Sequence, residues 1–406
     1  MDGRPVEARN WYAHVDTGKI TYALKLKLHF EELELEERIA EAPDQRAVVE
    51  EFRKFVGDLP LVAHNGTFDY RFLKKADPSL DNELVDSLEL ICLAFPELSS
   101  HSLENLAEHF GLREGDKRWV EILTLDRDLG ISRQLGAEPS ELFHSALFDC
   151  LVLYVLLQDA LAELRKAKPE FKAQFHLLSS TLAGLIGAPP EVPQTSPANL
   201  RELIRLRDWP EEVASLRRQP VEGLTFNEAT VMGIYEKLRR QDELEEREAQ
   251  KKMLRQATRI FLEGRKAMIE APTGTGKTYG YLLPAITYAK ATGRQVIIST
   301  STKNLQDQLL DSLGHLSDSQ VVSFPFNFTL LKGRQNYPCL RSLFETFIEA
   351  FYSEEADQVP FEEKLALLYL LRFAERSRDG DMEGVSFWFE KRFPILLALK
   401  QRVRSE

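Results

Sequence analysis

Glu270-Ala271-Pro272-Thr273-Gly274-Thr275-Gly276-Lys277-Thr278 is the stretch on which the reading of this chain turns. A short apolar run, Ala267-Met268-Ile269, precedes it and predicts the end of a strand; Tyr279 to Lys290 follows and predicts a helix. In the order strand, glycine-rich turn, helix, backbone N–H groups curl around phosphate oxygens. The helix N-terminus adds partial positive charge at the same point. In such a loop Lys277 reaches the β- and γ-phosphates of ATP, the Thr278 hydroxyl takes a place on Mg²⁺, and Thr273, Gly274, Thr275 and Gly276 line the nucleotide. The first position of G-x-x-x-x-G-K-[ST] is Ala271 rather than glycine. The bland alternative is a chance glycine-rich turn.

Bulk properties bound the rest. A length of 406 residues predicts two or three domains, and 43% hydrophobic residues supply real cores. The net charge of −12 gives no support for a nucleic-acid partner, but phosphate contacts depend on local charge. Three widely separated cysteines make no disulfide framework and suit a reducing cytosol. The start has no charged-then-apolar pattern of a signal peptide. The longest purely apolar run, Cys150 to Leu157, is too short to cross a membrane.

In the N-terminal third, Trp11 to Val15 and Ile20 to Leu24 alternate like a β-hairpin around Asp16-Thr17-Gly18. Glu31 to Ile39 and Gln45 to Val56 read as helices, and Leu61-Val62-Ala63 as a short buried strand. His64-Asn65-Gly66-Thr67-Phe68-Asp69 then opens a helix carrying Phe72 and Leu73. Leu103 to Phe110 is an amphipathic helix stopped by Gly111. His144-Ser145-Ala146-Leu147-Phe148-Asp149 opens a long helix, Cys150 to Lys166, whose apolar faces predict burial.

These pieces resemble the DnaQ-like family of 3′–5′ exonucleases with an active-site histidine, over roughly residues 1 to 165. The family pattern His-Asn-x-x-Phe-Asp-x-x-Phe-Leu is matched from His64 to Leu73, and His-x-Ala-x-x-Asp before an apolar helix is matched from His144. Asp86-Ser87-Leu88 and Leu103 to Leu112 fit the stretch between. The resemblance implies that Asp69 and Asp149 bind Mg²⁺ or Mn²⁺ and that His144 is the general base on the attacking water. Two-metal phosphodiester hydrolysis needs carboxylates that hold both ions at the scissile phosphate, and histidine titrates near neutral pH. The bland alternative is that both aspartates cap helices and His144 packs at a helix start. The family's first motif, Asp-x-Glu, does not occur before Asp69. Two of four metal carboxylates are therefore missing, and the expectation is that this chain alone is inactive as a nuclease.

Ala188 to Pro197 is rich in proline and reads as an interdomain linker. Beyond it, Leu200 to Leu206 and Glu211 to Arg218 are candidate short helices. Arg201, Arg205, Arg207, Arg217 and Arg218 make the region locally basic, as a solvated face or a DNA contact.

In the C-terminal half, Arg247 to Met253 writes Arg-x-x-Gln-x-x-Met ahead of the phosphate loop. Gln295 to Ser299 reads as a buried strand, followed by Thr300-Ser301-Thr302-Lys303-Asn304-Leu305-Gln306 and then Lys332-Gly333-Arg334-Gln335-Asn336-Tyr337-Pro338-Cys339. This order resembles DinG-type and XPD-like helicases of superfamily 2, over about residues 225 to 406. Helicases often carry alanine at the first loop position. The resemblance implies that Arg247 and Gln250 contact the nucleotide, the Gln250 amide donating to and accepting from adenine. It also implies that Thr300, Thr302 and Gln306 bind single-stranded DNA phosphates without charge. The resemblance to iron–sulfur members implies that Cys339 is the first of four ligands of a [4Fe–4S] cluster. No cysteine follows it here, so the cluster is an expectation for a full-length protein only, and the bland reading of Cys339 is a small hydrophobe. No Asp-Glu-Ala-His motif follows Thr278.

The expected fold class is α/β: a ribonuclease H-like exonuclease domain over 1–165, a linker over 166–224, and a partial RecA-like domain over 225–406 with the start of the iron–sulfur-type insertion. The chain reads as the interior of a longer protein. The expected function is an ATP-dependent DNA helicase fused to a 3′–5′ exonuclease, acting in DNA repair or replication. The rivals are a nuclease regulated by its P-loop half, and a non-catalytic module binding ATP and single-stranded DNA.

Overall fold

A computed structural model of the chain describes residues 5–189 and 220–404, except 23, 24, 26, 27, 29, 32, 143, 144, 178, 179, 320 and 378. His144, the linker from Pro190 onward, and the five arginines from Arg201 to Arg218 lie outside the described residues. The chain divides into two compact units, one of residues 1–206 with 333–406 and one of residues 207–332. The sequence reading kept 225–406 in one domain, whereas packing divides that stretch between Lys332 and Gly333.

In the first unit, helix α1 spans Leu35–Ala40 and α2 spans Gln45–Val56. α2 starts where predicted because the Asp44 carboxylate accepts from the Arg46 and Ala47 N–H groups, which have no partner inside the helix. Of the hairpin expected before it, the described residues form no strand, and Ala23 and Leu24 lie outside the described residues. Its turn exists as a 3₁₀ turn over Thr17–Lys19, capped by Asp16. Trp11, however, packs edge-on against Phe52 and Phe55 of α2, and His14 N–H donates to the Pro43 carbonyl. An isolated two-stranded ribbon is only marginally stable, whereas the indole gains aromatic contacts on the helix.

Strand β1 (Leu61–Ala63) leads through His64-Asn65-Gly66 into α3 (Thr67–Ala76), and β2 (Leu84–Asp86) returns parallel to β1, pairing Leu61 with Leu84 and Ala63 with Asp86. β1 is less buried than expected, with Val62 42% exposed. Among the described residues the sheet has two strands, so β1 is an edge with one face uncovered. Three helices follow, α4 (Ser87–Ala94), α5 (Leu103–His109) and α6 (Trp119–Leu129). The long α7 (Ala146–Arg165) packs against all three, burying Phe148, Leu151, Val152, Val155, Leu156 and Leu164. Its apolar residues recur on most faces, which suits a helix surrounded by others.

The second unit holds α8 (Glu228–Gln241), α9 (Glu248–Glu263), α10 (Lys277–Thr292) and α11 (Lys303–Asp318). Val231, Tyr235, Leu238, Leu254, Leu282, Leu283 and Leu316 form its core. α10 confirms the helix predicted after the glycine-rich turn. Both strands predicted here are corrected. Ala267–Ile269 and Gln295–Ser299 carry no ladder partner among the described residues, and Met268 and Ile297 are 98% and 85% exposed. A β-branched run becomes a buried strand only when a neighbouring strand takes its N–H and C=O groups.

The chain then returns to the first unit with α12 (Leu340–Tyr352), α13 (Phe361–Arg376), α14 (Phe387–Arg392) and α15 (Ile395–Arg402). These helices share one core with α4 to α7. Leu365, Leu367, Leu368, Tyr369 and Phe373 of α13 are almost wholly buried. Each such apolar side chain contributes about 1.5–3 kcal/mol on burial, which makes α13 the main anchor. Polar contacts fix its register. Arg372 Nε donates to the Leu93 carbonyl at 3.3 Å, and Arg376 forks onto Glu97 with further contact to Glu163. The Tyr369 hydroxyl accepts from Ser386 N–H at 2.7 Å.

Candidate functional site

The phosphate loop is built on α9 and α10 of the second unit. Gly274 and Gly276 have φ of +79° and +74°, the left-handed region that glycine enters without strain. The face of α9 carrying Arg247, Gln250 and Met253 grips this turn. The Arg247 guanidinium donates to the Gly274 carbonyl. Gln250 Nε2 donates to the Gly276 carbonyl at 2.9 Å. Met253 Sδ lies 2.8 Å from where a Cβ on Gly280 would stand. Residues three apart share a helix face, which is why Arg-x-x-Gln-x-x-Met docks as one ridge.

Lys277 Nζ donates to the Ala271 carbonyl at 2.9 Å, so the cation is folded back across the mouth of its own loop. The Thr275 hydroxyl donates to the Pro272 carbonyl. Thr273 is exposed at the loop tip, and Thr278 is half-buried in the first turn of α10. The loop's N–H groups, the helix end, one lysine and one hydroxyl are the donor set that a nucleotide triphosphate with Mg²⁺ requires.

Thr302 caps α11, its hydroxyl accepting from Leu305 N–H at 3.3 Å, and the Thr300 hydroxyl donates to the Thr302 carbonyl at 3.3 Å. Thr302 is exposed and Thr300 half-buried. Gln306 Oε1 is buried without a hydrogen-bond partner among the described residues.

The second candidate site lies in the first unit, at the turn from β1 into α3. Asn65 has φ of +59°, which asparagine tolerates. A Cβ on Gly66 would stand 2.7 Å from Ala63 Cβ, so only glycine fits there. His64 Nε2 donates to the His101 carbonyl at 2.8 Å and Nδ1 lies 3.2 Å from Ser87 Oγ; burial holds the imidazole below its ordinary range. Asp86, 8% exposed, accepts from Asn65 N–H at 2.9 Å and Leu88 N–H at 3.0 Å through Oδ1. Its Oδ2 is buried with no partner among the described residues.

Asp69 stands in the first turn of α3, its carboxyl raised by burial and by the Asp86 charge. Asp149 stands in the first turn of α7. Burial and then the charges of Asp149 and Asp69 raise the neighbouring Cys150 thiol, so both acids act on one locality. Two hard oxygen donors fit Mg²⁺ or Mn²⁺ as part of a ligand set. Among the described residues no group of three or more His, Cys, Asp or Glu is placed to hold a metal ion.

Cys339 is the N-cap of α12, and hydrogen bonding from Ser342 lowers its thiol. Cys92 is wholly buried in the core, and the chain has three cysteines in all. These residues do not fit a four-thiolate cluster.

Comparison with known proteins gives each region a relative. The DEAD/DEAH box helicase family matches residues 247–344, which include the α9 ridge and the loop. The exonuclease family matches residues 34–117, which include His64, Asp69 and Asp86. The chain has the region order of a DinG-type exonuclease–helicase fusion. It is similar to the 3′-5′ exonuclease DinG of Staphylococcus epidermidis, with 27% identity over 86% of this chain and 36% of that protein. The same-named protein of Staphylococcus saprophyticus is 24% identical over 91% of this chain and 38% of that protein. That of Staphylococcus aureus strain MRSA252 is 26% identical over 86% and 36%. The chain thus spans little more than a third of these DinG relatives. No solved structure matches it.

Sequence reasoning picked out no role for Asp86, Glu89 or Arg392. Glu89, in the first turn of α4, is pushed up to about 7 by burial and then by Asp86, with Arg392 opposing. Arg392 has no motif around it; its place beside α3 and α4 follows only from the packing of α13 to α15.

Proposed function

We propose that this protein works as an ATP-dependent DNA helicase of DinG type joined to a 3′–5′ exonuclease domain. Its substrate is DNA with a single-stranded stretch or end, met in repair or replication in the cytoplasm. The observation that carries the nucleotide half is the docking of Arg247, Gln250 and Met253 on Gly274, Gly276 and Gly280, which preorganises the loop. The phosphates of ATP would displace the Ala271 carbonyl as the partner of Lys277 Nζ, the Thr278 hydroxyl would ligate Mg²⁺, and Gln250 Oε1 would accept from adenine N6. Thr300, Thr302 and Gln306 would meet DNA phosphates. Among the described residues no helix is long and apolar enough to cross a membrane.

In the nuclease half, Asp69 and Asp149 would hold Mg²⁺ or Mn²⁺, which supplies charge neutralisation at the scissile phosphate when bound. His144 would take the proton of the attacking water. The exonuclease family match over residues 34–117, which includes Asp69, and the charges of Asp149 and Asp69 both acting on Cys150 support this assignment.

A second reading, a nuclease regulated by its P-loop half, is favoured by one observation: the relatives are named for exonuclease activity. The deciding experiment follows ATP turnover and release of nucleotides from 3′-labelled single-stranded DNA in parallel. The first reading expects DNA-stimulated ATP turnover that Lys277→Ala abolishes. Nucleotide binding without turnover, coupled to a change in digestion rate, supports the second.

A further inference from the structure

Arg392 ends the six-residue helix α14. A basic residue at a helix C-terminus is ordinarily a solvated partner of the helix dipole. Here the side chain turns back into the unit. One terminal nitrogen donates to the Thr67 hydroxyl at 2.7 Å, across 325 residues of chain. Nε lies 3.6 Å from Glu89 Oε1, and the guanidinium sits over the Phe393 ring, 5.3 Å from its centroid. The Glu89 side chain is 15% exposed and that of Arg392 36%, so the pair is half-buried at the edge of the unit.

The partners of Arg392 form a closed circuit. Thr67 is the first residue of α3, the helix whose first turn carries Asp69. Glu89 is in the first turn of α4, whose cap Asp86 accepts from Asn65 N–H. Asn65 and Thr67 flank Gly66, the residue where the chain bends from β1 into α3 and where no side chain fits. Asp86, the cap of α4, therefore holds one flank of the bend, and Arg392, from the end of α14 and paired with Glu89 of α4, holds the other. Asp86 and Glu89 are carboxyl groups three residues apart, both largely buried, and Arg392 is the cation beside Glu89. Arginine suits the task because its rigid fork can reach a hydroxyl and a carboxylate together, whereas an ammonium is a single point.

We propose that Arg392 is a positioning residue of the nuclease site, fixing through Thr67 and Glu89 the bend that aims Asp69. The inference rests on the nuclease reading above, in which Asp69 binds a divalent ion. It makes residues 385–404 part of the nuclease site although the family resemblance that defines that site ends near residue 165.

The test is a double-mutant cycle on the full chain, with Mn²⁺ affinity read by electron paramagnetic resonance and amide exchange read over residues 67–70. Residues that orient a metal ligand typically cost 10–100-fold in affinity when removed. Arg392→Ala and Thr67→Val should each weaken Mn²⁺ by about 10-fold, and the double variant by little more than either alone, because both break one contact. Arg392→Lys should restore part of the loss, and exchange at residues 67–70 should quicken in Arg392→Ala. If Arg392 only anchors its own helix, Thr67→Val keeps wild-type affinity and the inference is overturned. It is also overturned if Arg392→Ala binds Mn²⁺ like wild type while Asp69→Asn does not; the nuclease reading then stands. If Asp69→Asn binds like wild type, or the wild-type chain holds no Mn²⁺, the nuclease reading falls and the inference with it.

Discussion

Gln250 Nε2 holds the Gly276 carbonyl at 2.9 Å, and a Cβ at Gly276 would stand 2.2 Å from that same nitrogen. The loop and the α9 ridge are thus fitted to each other with no room for a side chain. Gly276→Ala meets both this clash and the strain of φ near +74°. We expect it to cost about 2 kcal/mol or more of second-unit stability and to remove nucleotide binding. Adding Gln250→Ala should recover part of the stability and none of the binding, since the backbone strain stays. Thermal melts and titration with a fluorescent ATP analogue measure the two effects; a Gly276→Ala variant that binds normally would show that the cradle is not the nucleotide site.

Lys277 is parked on the Ala271 carbonyl, a contact that phosphate can replace. In a full-length protein Lys277→Ala removes the cation that faces the transferred phosphate, and DNA-stimulated ATP hydrolysis should nearly vanish; this chain alone is expected to bind Mg-ATP weakly without turnover. The melting behaviour of the chain should hardly move, because Lys277 is exposed. Retention of the wild-type rate in that variant contradicts the assignment.

Asp149 and Lys277 belong to different compact units. In a full-length protein Asp149→Ala should therefore abolish 3′–5′ digestion and leave ATP binding intact, and Lys277→Ala should impair ATP use and leave digestion intact. Parallel nuclease and nucleotide-binding measurements on both variants test this; joint loss in either one argues against two independent sites.

Glu89 gives a pH signature. Its carboxyl is pushed from the ordinary 4.5 up to about 7 by burial and then by Asp86. The folded chain therefore holds a proton there that the unfolded chain has released between those two values. Stability from this group falls as pH rises from about 4.5 to 7, by a few kcal/mol at most. His101, pushed by burial down to about 4, acts in the opposite sense below its ordinary 6.5. The clean observable is a difference between variants. Glu89→Gln should match wild type in melting temperature near pH 5 and exceed it increasingly up to pH 7.5. A constant difference across that range would mean that Glu89 does not titrate there.

Thr302 makes two demands on one hydroxyl. As the cap of α11 it is worth about 1 kcal/mol, the usual cost of replacing a threonine cap by alanine. If it also meets a DNA phosphate, Thr302→Ser should keep both roles and Thr302→Ala should lose both. Single-stranded DNA affinity measured across a salt series separates them: the hydroxyl carries no charge, so the salt slope should be the same in all three proteins while affinity drops only in the alanine variant.

The phosphate loop, helix α2 and the bend before α3 were legible in the sequence because each is determined within a few residues. Glycines that must take positive φ, caps such as Asp44 and a ridge repeating every third residue carry their reason locally. The α9 ridge was legible as a pattern, although its grip on Gly274, Gly276 and Gly280 needed the two helices side by side. Other features depended on which distant surface each segment met. Trp11 packs on Phe52 and Phe55 of α2, more than 40 residues along the chain. Ile297 lies exposed because the described residues hold no strand beside it. Residues 333–406 joined the first unit because the apolar faces of α13 and α4 bury each other. Arg392 reached Thr67 only through that packing, and contacts across 325 residues of chain leave no local pattern for a sequence to display.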